Sequence, residues 1–106
     1  MSGFDKREES FEKKFAHDEE LQFKATAKRN KRLAAWACEK WGKPEQADAY
    51  FKELMAADLE EAGDADVVRK LMGDFIRHGV QVSEHQIERE MNEQMAQAVA
   101  DVKAGR

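Results

Sequence analysis

The chain has 106 residues, 38% of them charged, with a formal net charge of −4. Its mean hydropathy is −0.83, and without an apolar run long enough for a bilayer it does not read as a transmembrane protein. The acidic balance argues against a general nucleic-acid binder, which is usually basic, yet is too mild for a fully disordered acidic chain.

One domain is the default at this length. No apolar h-region follows Met1, so no secretory signal is expected. The single cysteine, Cys38, rules out an intramolecular disulfide and fits a reducing cytoplasm. Alanine, glutamate, lysine, leucine and methionine predominate and proline occurs once, so the expected class is all-α.

The chain opens with a segment dense in both charges that carries Phe4, Phe11 and Phe15. On a helix these three rings fall within about 40° of one another. Lys6, Arg7, Glu8, Glu9, Glu12, Lys13 and Lys14 surround them, which suits a segment that stays in water until it meets a partner. A second apolar stripe, Phe23, Ala27, Ala34, Ala37 and Trp41, is rotated from the first by about 100°. The change of role is expected between His17 and Glu20. The stretch from Asp5 to Trp41 reads as one helix or two.

Gly42 suits the position after a helix ending at Trp41, and Pro44 suits the first turn of the next. Ala47, Tyr50, Phe51, Leu54, Met55 and Leu59 then recur at helical spacing. Gly63 is expected to close that helix and Asp64 to cap a third, whose face is Val67, Val68, Leu71, Met72, Phe75 and Ile76. His78 and Gly79 end it. Ser83 and Gln86 form a capping box for the last helix, with Val82 positioned to staple onto Ile87. Ile87, Met91, Met95, Ala98, Val99 and Val102 form its apolar face. The expectation is a four-helix bundle, residues 19–106, behind a flexible or marginally helical amino-terminal segment, residues 1–18.

Few residues suggest chemistry. His17, His78 and His85 do not pair with one another or with Cys38 at i+3 or i+4, so no metal is expected. His17 is a candidate pH sensor. The acidic run from Asp58 to Asp66 fails as a calcium loop, because Ala62 and Arg69 stand where oxygen ligands are needed. It reads instead as a helix end followed by an acidic helix start. Cys38 and the set Trp36, Trp41 and Tyr50 read as core packing. No phosphate-binding loop or nucleophile motif is present, so no enzyme and no cofactor are expected. Lys28, Arg29, Lys31 and Arg32 form the one concentrated basic patch, a candidate secondary contact for phosphate or an acidic protein surface.

Two patterns carry a family resemblance. The first is Phe4-Asp5-x-Arg7-Glu8-x-x-Phe11-Glu12-x-Lys14-Phe15-Ala16-x-Asp18, continued by Phe23-Lys24, Arg29-Asn30-Lys31-x-Leu33 and Trp36-Ala37. The second is Ala57-Asp58-Leu59-Glu60-Glu61-Ala62-Gly63-Asp64, followed by Asp66-Val67-Val68-Arg69-Lys70-Leu71. Together they resemble the ζ-subunit family of α-proteobacterial ATP synthases, over nearly the whole chain. The resemblance implies a four-helix protein that inhibits ATP hydrolysis by inserting its amino-terminal segment into a catalytic interface of the soluble head. Carried onto this sequence, the partner-binding residues would be Phe4, Asp5, Arg7, Glu8, Phe11, Glu12, Lys14 and Phe15. The partner it implies is the catalytic head of the synthase, and the protein is expected in the cytoplasm, peripheral to the inner membrane through the synthase, and monomeric when free. Weak ATP or ADP binding is compatible with the family, though no motif here supports it. The alternative is a helical adaptor, or a weak nucleic-acid binder using Lys28 to Arg32.

Overall fold

The computed structural model describes residues 18–60 and 64–106. Among these the protein is all-α, with four helices and no strand. Helix α1 spans Glu19–Lys40. A single 3-10 turn at Pro44–Gln46 leads into α2, Ala47–Glu60. Helix α3 spans Ala65–Arg77 and α4 spans Glu84–Lys103.

The punctuation follows the sequence. Trp41 is the C-cap of α1, and Gly42 follows with φ +78°, the left-handed turn that glycine adopts without steric cost. Pro44 opens the 3-10 turn, where a missing N–H leaves no bond unmade. Ser83 caps α4: its Oγ accepts from Gln86 N–H at 3.0 Å, and Gln86 Oε1 accepts from Ser83 N–H at 2.8 Å.

Helix α1 is the spine. Helix α2 runs antiparallel to it, with Tyr50 beside Trp41 at one end and Asp58 beside Asn30 at the other. Helix α4 also runs antiparallel to α1: Gln86 and Arg89 share a groove with Trp36 and Lys40, and Asp101 reaches Arg32. Helix α3 closes the core with Phe75 against Trp36 and Trp41. The core contains Leu33, Ala34, Ala37, Cys38, Tyr50, Leu54, Val67, Leu71, Phe75, Ile87 and Met91, drawn from all four helices.

Three large residues assigned to apolar faces are exposed instead. Phe23 is 56% exposed, Leu59 74% and Ile76 71%. The cause for Phe23 is length. Helix α2 ends at Glu60, with Asp58 level with Arg29 and Asn30, so the stripe on α1 runs past the helix that covers it. Asp64 also departs from expectation. It stands at the N-cap of α3, but its side chain makes no capping bond. Its Oδ1 accepts from Arg29 instead, at 2.7 Å.

Candidate functional site: the amino-terminal end of the bundle

Helix α1 starts from a fixed point. Asp18 Oδ1 accepts from the backbone N–H of Glu20 at 3.0 Å and of Leu21 at 3.2 Å. Two donors that the helix start leaves unpaired are thereby satisfied. Glu19 and Glu20 add negative charge where the helix dipole is positive. This cap lies within the stretch from His17 to Glu20 singled out in the sequence. Phe4, Asp5, Arg7, Glu8, Phe11, Glu12, Lys14 and Phe15, and the candidate sensor His17, lie outside the described residues.

The basic run further along α1 does not form one surface. Arg29 is 2% exposed. Its guanidinium donates to Asp64 Oδ1, to Asp58 Oδ2 at 3.3 Å and to Asn30 Oδ1 at 3.1 Å. Asn30, also buried, donates to the same Asp58 oxygen at 3.1 Å. The planar, always-charged guanidinium suits such a site, since several of its donors bond at once. Arg29 was expected as a secondary contact; the structure turns it inward, where it ties α1 to the end of α2 and the start of α3. Arg32 is paired with Asp101 at 2.8 Å, and this bond holds the Asp101 carboxyl below its ordinary range. Lys31 is exposed and Lys28 half-buried.

The opposite end of the bundle is aromatic. Trp41 meets Tyr50 and Phe75 edge-on, at ring-centroid distances of 5.0 and 5.2 Å, and stacks on His78 at 4.3 Å. These contacts suit packing, because offset and edge-on rings add to the burial of apolar area. Tyr50 Oη donates to Asp74 Oδ2 at 2.6 Å. Burial first, and then this bond, push the phenol above its ordinary range. Asp74 also pairs with Lys70 at 3.1 Å and with Arg77. Burial lowers the Lys70 ammonium, but the bonds to Asp74 and Glu53 outweigh it and the net shift is upward. The Cys38 thiol is raised by burial, then by Glu45 and Glu53. It is set for packing rather than attack, since the nucleophile is the thiolate.

Sequence reasoning missed Asp74, which sits on an otherwise apolar face of α3. A signal was available: Lys70 precedes it by four residues and Arg77 follows by three, a spacing that surrounds one carboxylate with cations on a helix. Among the described residues no three or more His, Cys, Asp or Glu side chains gather as a metal-ligand set, and no helix is long and apolar enough to cross a membrane.

In the comparisons with known proteins, no curated protein matches the chain. A family model does, over residues 1–101, and its description is ATPase inhibitor subunit zeta. The match runs through the charged phenylalanine segment ahead of α1 and continues along the bundle to Asp101 of α4. The chain therefore belongs to the ATPase inhibitor subunit zeta family.

Proposed function

We propose that this protein inhibits ATP hydrolysis by the F-type ATP synthase, with residues 1–18 inserted into a catalytic interface of the soluble head and the bundle serving as the handle. The observation that carries this reading is the match to an inhibitor family across both parts of the chain. A segment that is marginal as an isolated helix gains order from the surface it meets. Phe4, Phe11 and Phe15 would enter an apolar groove there. Asp5, Arg7, Glu8, Glu12 and Lys14 would fix register through charge pairs. Rotation in the hydrolytic direction is then blocked, and the protein associates with the synthase without crossing the membrane. The role is regulatory and needs no cofactor.

The fold gives support at one point. The described core draws on all four helices, and α1 has its own cap at Asp18. A handle of residues 19–106 can therefore hold its shape while the preceding residues engage a partner. The nucleic-acid reading loses ground, because Arg29 and Arg32 are committed to carboxylates of this chain.

The test is ATP hydrolysis by a cognate synthase head, titrated with the intact chain and with a chain beginning at Glu19. The intact chain should inhibit. The shortened chain should not, while keeping the helical circular dichroism and cooperative melting of the bundle. Equal inhibition by both chains would refute the wedge. Unfolding of the shortened chain would assign the phenylalanines to the core.

A further inference from the structure

The overhang of α1 beyond α2 points to a second contact. On an ideal helix Phe23, Ala27, Asn30, Ala34, Ala37 and Trp41 lie within about 40° of the direction of Phe23. From Asn30 onward this stripe packs on the bundle: Asn30, Ala34 and Ala37 are fully buried. Seven residues earlier, about 10 Å along the axis, the same stripe presents Phe23 to solvent. Ala25, about 200° round from Phe23, is fully buried, so this end of α1 is covered on one side and open on the other. A lone exposed apolar side chain is ordinary. Phe23 differs in continuing a core-facing stripe. Leu59, next to the Asp58 that Arg29 and Asn30 hold, is exposed at the same end of the molecule.

Charge gives the open face a direction. Lys24, Lys28 and Lys31 lie between about 80° and 140° from Phe23, all on one flank. Lys24 pairs with Glu20 at 3.6 Å, an exposed i,i+4 pair. Such a pair holds the lysine weakly. An apolar strip with a lysine edge fits a partner surface with an apolar centre and an acidic rim.

We infer that Phe23 and this lysine edge form a second docking element for the synthase head, seated on an acidic-rimmed apolar surface beside the one that receives residues 1–18. This inference rests on the proposed function. Phe23 is five residues from the Asp18 cap, about 8 Å along one helix. Contacts joined so rigidly and closely reinforce each other through effective concentration. Residues 1–18 then supply the block, and Phe23 with its lysines sets how tightly the inhibitor is held.

The experiment uses the full chain and its variants Phe23→Ala, Lys28→Glu with Lys31→Glu, and Phe11→Ala with Phe15→Ala. Each is titrated into ATP hydrolysis by the cognate head, and its binding to the head and its melting temperature are measured. Phe23→Ala should raise the half-inhibitory concentration about tenfold, as loss of an anchoring aromatic does, leaving maximal inhibition and melting temperature unchanged. The lysine reversals should weaken binding and flatten its dependence on salt. A Phe23→Ala chain that inhibits within about twofold of the wild type, or that melts more than about 5 °C lower, overturns the inference. So does a wild-type dimer that Phe23→Ala converts to monomer, since the face would then belong to a second copy. If the Phe11 and Phe15 variant inhibits like the wild type while Phe23→Ala is weakened, the wedge fails and the docking surface stands. If the wild type does not bind the head, both fall.

Discussion

Tyr50 donates its phenol proton to Asp74 at 2.6 Å across the α2–α3 contact, inside the bundle. Tyr50→Phe removes a donor from a buried carboxylate and should cost about 1–3 kcal/mol, read from the denaturant midpoint. Lys70 and Arg77 still pair with Asp74 in the variant, which limits the loss. The effect has a pH signature. The folded phenol is raised above its ordinary value of 10.0. Below that value the proton is present in both states and its contribution is intact. As pH rises above it, only the unfolded chain loses the proton, so stability falls. The gap between wild type and Tyr50→Phe should therefore narrow from pH 9 to pH 11, following the ordinary phenol ionisation near 10. A constant gap would show that the fold does not raise the phenol above its ordinary range.

Arg29 is buried and paired with two carboxylates. Arg29→Ala leaves Asp58, which is 13% exposed, without its cation. Breaking a buried pair costs about 3–5 kcal/mol. The loss here should be near about 3 kcal/mol, at the low end of that range, because Asn30 still donates to Asp58. Asp64→Asn should cost less than about 1 kcal/mol, as its carboxylate is largely exposed. Lys28→Ala should fall within about 0.5 kcal/mol of wild type. Urea unfolding orders the three variants, and a Lys28 effect equal to that of Arg29 would contradict the buried network.

The contrast between Lys28 and Arg29 marks where the sequence stopped being informative. Helical periodicity and local punctuation were legible: the Ser83–Gln86 box, Gly42 after α1 and Pro44 ahead of α2 are decided by neighbours within four residues. The burial of Arg29 is decided by Asp58 and Asp64, 29 and 35 positions away. Within a basic run nothing local distinguishes it from Lys28. Asp64 reads as a cap for the same reason, since its partner is distant. Phe23 reads as core because its stripe is correct, whereas its exposure depends on where α2 ends. The acidic run from Asp58 to Asp66 read as a helix end and an acidic helix start, and the use of its Asp58 and Asp64 as counter-charge for Arg29 required the fold. The residues of the inhibitory segment proposed to enter the synthase lie ahead of the described helices, and they were legible only as a pattern of rings and charges.

Cys38 should be inert while the bundle is closed. It is fully buried in the core, and burial with two nearby glutamates keeps it as the thiol. A thiol-directed disulfide reagent at pH 7.5 should react at least about 100-fold more slowly with the native protein than with the unfolded chain. The native rate should rise in step with the unfolded fraction across a urea titration. Rapid reaction in water would place the sulfur at the surface.

Asp18 tests the division between segment and handle. Its carboxylate caps α1 through two backbone donors. Asp18→Ala should therefore destabilise the bundle by about 1 kcal/mol, whereas Asp18→Asn or Asp18→Ser, which restore a capping oxygen, should recover most of that loss. The size of the effect matters as much as its sign. A cap acts on one turn, so a loss within about 2 kcal/mol means that the cooperative unit begins at α1. A loss well above that range, or one that Asn and Ser fail to restore, would mean that the residues before Asp18 fold as part of the bundle. Their phenylalanines would then be occupied at home, leaving no free segment to enter the synthase.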